Sequence, residues 1–400
     1  MSIMAARKTK VLILGGGFGG IKTALELANN PAFDLTLVSD QPDFRYYPTL
    51  YQAATGGRMT ASSIPLSEIF KDKNVSIQRQ TAKKLDRQSR QVKMSSGAEY
   101  KYDVLVIALG VVTNYFGIKG LKEYSYGIKS QSESQELRDH IHKLLLDEGK
   151  PDLNYVVIGG GPTGVELAGA LPSYIKHVMK MHRLKPKKLN IELVEAAPRL
   201  MPRMPKDYSK AVARRLRKLG VKLYLNQTVQ AETVDTLIVT GRDIKSRTVV
   251  WTAGVTNHPF FDNNKFSFGE HGKVLVDKYL QAEPNIFVAG DNADTPFSGM
   301  AQTALYDGKF LASNLKRLSE GKKQRSYQAK RPAYVTPVGP RWAALLWGKV
   351  HFYGWLGWVM RSAADYIGYH DYEPWRMATK HWIAAYQNEN NCRVCAGNDN

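Results

Sequence analysis

Val11-Leu12-Ile13-Leu14-Gly15-Gly16-Gly17-Phe18-Gly19-Gly20 lies near the start of the chain, and Val156-Val157-Ile158-Gly159-Gly160-Gly161-Pro162-Thr163-Gly164 repeats its plan further on. Each stretch is an apolar run that reads as a strand, then Gly-x-Gly-x-x-Gly, then a helical pattern. In such a turn the first glycine permits the tight bend, the second lets backbone approach a pyrophosphate, and the third lets helix touch strand. The helix start then presents free N–H groups to the phosphate. A single glycine turn is common. Two in matching strand and helix contexts point to a chain built to hold two dinucleotides.

The 400 residues suffice for two or three domains with their own cores. A composition of 43% hydrophobic and 23% charged residues is that of a globular protein. The formal net charge of +20 favours an anionic partner, whether lipid headgroups, nucleic acid or phosphate-bearing cofactors. The only cysteines are Cys392 and Cys395. A disulfide framework in the body of the chain is therefore excluded, and chemistry that needs a redox cysteine pair beside the flavin, as in disulfide reductases and thiol-dependent sulfide oxidation, is disfavoured. The Cys392/Cys395 pair has the spacing of half a zinc site or of a redox dithiol, but no second pair exists and its neighbours read as a loose tail. No metal site is expected. There is no secretory pattern before Val11 and no run of 18 apolar residues, so the expectation is a reducing, cytoplasmic setting without a spanning helix.

Residues 11–38 read as strand, turn, helix and strand, the βαβ unit that the first glycine turn requires. Beyond that second strand, Asp40 or the adjacent Ser39 occupies the point where an acid meets ribose hydroxyls. Tyr102-Asp103-Val104-Leu105-Val106-Ile107-Ala108-Leu109-Gly110 reads as a buried strand ending in a turn. The second unit runs through a long helix from Thr163 to about Met181 and a strand ending at Glu195. An acid there accepts both ribose hydroxyls and repels a 2′-phosphate, which favours NADH over NADPH, although Arg199 and Arg203 nearby soften that preference. Asn285-Ile286-Phe287-Val288-Ala289-Gly290-Asp291 is a strand ending on an acid, and Ala301 to Leu318 is a helix. The fold class is α/β, with two Rossmann-like dinucleotide-binding domains. The first domain takes residues 1–120 and 270–330, the second is inserted as 121–269, and 331–400 follow as a separate region.

That last region holds six of the seven tryptophans between Trp342 and Trp382, mixed with Lys, Arg and His. Arg341 to Arg361 reads as a helix lying in a membrane interface, with aromatic residues at the boundary and basic residues toward anionic headgroups. An aromatic helix packed on the protein itself, or a homodimer contact, is the alternative.

Taken together, these stretches resemble the type II NADH:quinone oxidoreductases, flavoproteins that pass electrons from NADH to a membrane quinone without pumping protons. The markers are the first glycine turn followed by Pro48-Thr49-Leu50-Tyr51-Gln52-Ala53-Ala54-Thr55-Gly56, the second turn through Glu166, Ala289-Gly290-Asp291, Ala301-Gln302-Thr303-Ala304, and Trp347-Gly348-Lys349-Val350-His351. The resemblance implies a two-dinucleotide flavoprotein fold with a C-terminal helical membrane-anchoring segment. It implies FAD on Gly15, Gly17, Gly20, Asp40, Gly110, Asp291, Ala301 and Gln302, and NADH on Gly159, Gly161, Gly164 and Glu195. Glu166 and Gln302 become the catalytic candidates, and Gln302, Tyr306 and Tyr47 the quinone-binding ones. Tyr306 departs from the family pattern, which usually has a second glutamine there. The implied partners are a quinone and an anionic lipid surface on the cytoplasmic face of the cell membrane, peripherally bound. Two other readings share the glycine turns: a soluble NADH-dependent reductase of a ferredoxin-like carrier, and a flavoprotein of the apoptosis-inducing type whose basic runs Lys176–Lys188 and Arg214–Lys222 bind nucleic acid. A basic run is usually a solvated face, so nucleic acid is not the expected partner.

Overall fold

The computed structural model describes residues 7–147, 153–185 and 188–387; Cys392 and Cys395 lie outside them. Val11 to Leu14 form the end of strand Thr9–Leu14, flanked in parallel by Phe33–Ser39 on one side and Val104–Ile107 on the other. Ser76–Arg79 extends the sheet beyond Phe33–Ser39, and Ile286–Val288 followed by antiparallel Gln281–Glu283 extends it beyond Val104–Ile107. Val11, Leu12, Ile13 and Leu14 are all at most 2% exposed, because both faces of this sheet are covered. That is why the strand is continuously apolar rather than alternating. Strand order reverses beside Thr9–Leu14, so the first glycine turn emerges at the crevice where doubly wound sheets take ligands.

The second sheet is wholly parallel, in the order Val221–Leu225, Asn190–Glu195, Asn154–Ile158, Thr248–Trp251. Its glycine-turn helix, Pro162–Met181, buries Val165, Leu167, Ala168, Leu171, Ile175 and Val178 at helical spacing. An antiparallel ribbon of Val111–Thr113 with Val255–Asn257 joins the two halves. Each half also carries a three-stranded antiparallel insert, Ala82–Asp86 with Gln91–Met94 and Glu99–Lys101 in one, Val229–Glu232 with Thr236–Val239 and Arg242–Lys245 in the other.

The helix expected over 341–361 starts only at Trp355. Tyr334–Pro337, Ala343–Trp347 and Val350–Gly354 form an antiparallel sheet first, and helices Trp355–His370 and Trp375–Ala385 follow. Trp347 pairs with Val350 across Gly348-Lys349, and Gly348 has φ of 61°. A positive φ at the first position of a two-residue loop makes the hairpin turn whose twist matches the strands. This Gly-Lys signal was legible in the sequence but masked by the density of aromatic residues.

The tail is not a detachable anchor. Tyr208, fully buried, donates its hydroxyl to Ala344 O at 2.9 Å and shares a second hydrogen bond with the Thr336 hydroxyl at 2.8 Å. Arg215 donates to Val338 O at 3.2 Å and Pro340 O at 3.0 Å. Val338 and Ala344 belong to the core of the second sheet, while Tyr369, Tyr372 and Ala378 belong to that of the first. Removing 331–400 therefore opens both cores. Among the described residues no helix is long and apolar enough to cross a membrane.

Candidate functional site

The glycines of the two turns divide into those the protein itself requires and those it does not. Gly15 has φ of 115°, and a Cβ there would sit 2.1 Å from Ala108 O. At Gly20 a Cβ would fall 2.0 Å from Gly15 O, and at Gly164 1.9 Å from Gly159 O, so helix and strand touch through these atoms. Gly17 and Gly161 differ: a Cβ at either would meet nothing within 4 Å. Both are N-cap residues of their helices, without a side-chain cap. A helix start without a side-chain cap, beside a glycine that no protein contact demands, could cradle a diphosphate.

The strand ends facing these cradles are not alike. Glu195 accepts from Gly160 N at 2.5 Å and from Ala197 N at 2.7 Å. In the first half the equivalent position belongs to Ser39: a Cβ on Gly16 would lie 2.5 Å from Ser39 Oγ, as one on Gly160 would lie 2.9 Å from Glu195 Oε2. Asp40, the acid named for this point, turns outward, its side chain 52% exposed and 3.4 Å from Arg45 Nη2. One residue decides this because successive strand side chains point to opposite faces. Arg199 is occupied by Met204 O at 2.6 Å, Ser209 Oγ at 2.7 Å and Pro202 O.

Asp291 sits in the turn Gly290–Asn292, against the start of helix Ala301–Ser319. Burial raises its carboxyl, while Lys273 and then Lys129 oppose that rise. Lys129 Nζ is buried with no hydrogen-bond partner, and burial pulls its ammonium down to about 8 against the attraction of Glu133 and Asp291. An orphaned buried ammonium beside a polar turn fits a phosphate-bearing or carbonyl-bearing cofactor. Asn292, fully buried, clasps Gly110 by accepting from its N–H at 2.7 Å and donating to its carbonyl at 2.6 Å. Behind the turn, Asp307 accepts from Gly290 N at 2.9 Å and from the Tyr327 hydroxyl at 2.6 Å; burial pushes its carboxyl up to about 6.

Glu166 lies one helical turn into Pro162–Met181, its side chain 12% exposed and Oε1 3.8 Å from Arg361 Nη1. Arg361, in turn, holds Asp365 Oδ2 through Nε at 2.8 Å, Pro48 O through Nη2 at 2.7 Å and Val335 O through Nη1 at 3.2 Å. Burial pushes Glu166 up to about 8, Arg361 opposing and Asp365 reinforcing the rise. Burial raises Asp365 as well, but it takes the short contact with Arg361, while Glu166, pushed up to about 8, holds its proton at neutral pH. Arg361 thus ties the Pro48 loop, the second glycine-turn helix and the tail into one unit.

Residues 9–308 match the family described as pyridine nucleotide-disulphide oxidoreductase. The chain belongs to that family. It is 29% identical over 396 residues to the type II NADH:quinone oxidoreductase Ndh of Mycobacterium tuberculosis, covering 91% of this chain and 85% of that one. It is 28% identical over 360 residues to the type II NADH:quinone oxidoreductase of Staphylococcus epidermidis, covering 84% and 89%. Among solved structures it superposes on NDH2 from Plasmodium falciparum in complex with NADH with a TM-score of 0.84 at 16% identity, covering 95% and 98%. The sulfide:quinone oxidoreductase of Aquifex aeolicus superposes with a TM-score of 0.76 at 20% identity, covering 89% of each chain.

Within the pyridine nucleotide-disulphide oxidoreductase family this chain lacks the disulphide: residues 1–391 contain no cysteine. Gln302 stands at the start of its helix, exposed, its amide exchanging hydrogen bonds with Ala333 at 3.1 Å and 3.5 Å. Tyr306, one turn on, packs on Tyr327 with ring centroids 5.7 Å apart, and Lys330 Nζ lies 4.5 Å from its ring centre. Tyr47 stacks on Phe18 at 6.4 Å, at the start of the first glycine-turn helix, and is 44% exposed. The sequence reading missed Lys129, Asn292, Asp307, Arg361 and Asp365. Three had a local signal. Ser130-x-x-Glu133 is a capping box in which Ser130 Oγ accepts from Glu133 N at 3.1 Å and Glu133 accepts from Lys129 N at 2.5 Å, and Arg361 and Asp365 are spaced i, i+4.

Proposed function

We propose that this oxidoreductase takes a hydride from NADH through bound FAD and delivers two electrons to a quinone at a membrane surface. The observation that carries the reading is the two-faced helix Trp355–His370. One face bears Arg361 and Asp365 beside Glu166; the other bears Leu356, Met360, Ala363 and Ile367, with Leu356 46% and Ile367 57% exposed. Trp347 and Trp355, 63% and 64% exposed, extend that apolar surface toward the hairpin tip. An apolar outer face on a strongly basic protein suits an anionic bilayer interface and a lipid-soluble acceptor, and a peripheral rather than spanning attachment. The names of the relatives, NADH:quinone oxidoreductases matched over most of both chains, support the same reading.

FAD would rest on Gly15, Gly17, Gly20, Gly110 and Asp291, with Lys129 supplying charge and Ala301 and Gln302 closing the cradle. NADH would rest on Gly159, Gly161, Gly164 and Glu195; Arg199 is occupied by backbone and Ser209, and of the two arginines near this strand end Arg203 alone is exposed. When bound, FAD supplies the chemistry that takes up a hydride and releases two electrons. The chain's part is to orient both cofactors, exclude water, and hold a proton on Glu166 near the nicotinamide side, with Gln302 toward the quinone end.

Turnover of NADH with a short-chain quinone, and none with a ferredoxin, is the expected result for FAD-loaded protein. Flavin reduction without quinone turnover overturns the proposal. Glu166→Gln should keep FAD bound, slow quinone turnover by roughly tenfold or more, and erase the limb of the pH profile near 8 where wild type loses this proton. An unchanged pH profile removes Glu166 from proton handling. Leu356→Glu with Ile367→Glu should lower sedimentation with anionic liposomes at least tenfold, while soluble NADH-to-quinone turnover persists. Equal partitioning of wild type and variant places the membrane face elsewhere.

A further inference from the structure

Three metal-ligating side chains meet away from both glycine turns. Glu68 of the short helix Leu66–Ile69, Glu373 of the turn between the two C-terminal helices, and His381 of helix Trp375–Ala385 each bring a donor atom within 4.8 Å of the other two. His381 Nδ1 and Glu373 Oε2 are 2.7 Å apart, and these two side chains are 4% and 1% exposed. Glu373 Oε1 is buried and has no hydrogen-bond partner. Glu68 is half-buried and forms the side open to solvent.

The hydrogen bonding of this cluster is incomplete. Two carboxylates and an imidazole meet beside the Tyr369 ring, whose centroid is 6.0 Å from that of His381. The contact of His381 with Oε2 leaves Oε1 unsatisfied, and a buried polar atom without a partner is disfavoured. A divalent cation supplies the missing partner. Two carboxylates and one imidazole form a donor set that suits a borderline first-row ion such as zinc or manganese rather than calcium. Donors about 2.0–2.2 Å from such an ion stand about 3.3–3.6 Å from one another, so small side-chain rotations bring the three into range.

We propose that Glu68, Glu373 and His381 form a structural site for a first-row divalent cation that fastens the C-terminal helix pair to the first-sheet half. The pair already docks there through Tyr369, whose hydroxyl donates to Ala61 O at 2.6 Å, and through Lys22, which donates to Asp371 O at 3.0 Å. The cation adds a third tie, and so fixes the angle at which the apolar face of Trp355–His370 is presented. Sequence spacing conceals such a site, because its ligands come from opposite ends of the chain and share no motif.

The test uses full-length, FAD-loaded, untagged protein in a Cys392→Ser/Cys395→Ser background, so that tail thiols bind nothing. After chelation and dialysis, titration with zinc should show one equivalent bound per chain and raise the thermal midpoint by about 2 °C or more. Glu68→Gln, at a half-exposed position that does not threaten folding, should weaken zinc binding at least tenfold, and His381→Gln should do the same. Less than a tenth of an equivalent bound, a midpoint indifferent to zinc and chelator, or affinity unchanged in both variants overturns the proposal and leaves a proton-shared Glu–His–Glu clip. The readouts are metal content and melting, so they stand apart from quinone turnover.

Discussion

Replacing Gly17 by valine should strip the protein of FAD while leaving it folded. Gly17 has φ of −101° and ψ of −171°, extended backbone open to any residue, and a Cβ there meets no protein atom within 4 Å. Valine is a poor N-cap, but that costs only about 1 kcal/mol and moves the thermal midpoint by a few degrees. A branched side chain in the cradle instead occupies the approach of the pyrophosphate, and retention of FAD should fall at least a hundredfold. Gly161→Val, with φ of −76° and equally open surroundings, should spare FAD and raise the KM for NADH by a similar factor. Gly20→Ala is the contrast. Its Cβ would lie 2.0 Å from Gly15 O, where only backbone can yield, so this smaller change should destabilise the fold itself by about 3 kcal/mol. Circular dichroism, flavin absorbance and NADH kinetics on the three variants separate these effects. A Gly17→Val protein that retains stoichiometric FAD would refute the assignment of the cradle.

Arg361→Leu should produce the largest loss of stability among single changes at the site. The guanidinium serves Asp365, Pro48 O and Val335 O at 2.7–3.2 Å, and all these partners are left without it. Breaking a buried pair by removing one member costs about 3–5 kcal/mol, most of it from the abandoned carboxylate. Adding Asp365→Leu should therefore restore a large part of the loss, a non-additive result that a urea unfolding cycle detects. Additive losses would show that Arg361 acts through packing alone. The pH dependence has a definite sign. Glu166 holds its proton to about 8 in the folded chain against an ordinary value of 4.5. Between these pH values the unfolded chain has released a proton that the native chain keeps. This group's contribution thus favours folding most at low pH, declines as pH rises from about 4.5 to 8, and is flat above. Losing Arg361 removes the one positive charge that lowers Glu166, so the decline should extend to higher pH.

Much of this protein is legible in its residues alone, and the legible parts share a physical cause. Glycine turns, continuous apolar strands and helix starts are set by local backbone and side-chain constraints, so Val11–Gly20, Val156–Gly164 and Asn190–Glu195 announced themselves within about ten residues each. The order of residues was thus enough to set the two glycine turns, the lack of a redox cysteine pair before residue 392, and the placement of Glu166 just inside the second turn. Local pattern misled where aromatic content outweighed a hairpin signal, at Trp342 to Gly354, and where one step along a strand decides which side chain faces inward, at Ser39 and Asp40. Other features arise only when distant segments meet. Arg361 reaches Glu166 and Pro48, Asn292 clasps Gly110, Lys129 lies near Asp291, and Glu373 and His381 meet Glu68. These pairings come from the folded arrangement, because burial strengthens electrostatic interactions and makes each unpaired group costly, and neither burial nor proximity across hundreds of residues is written into any local stretch of chain.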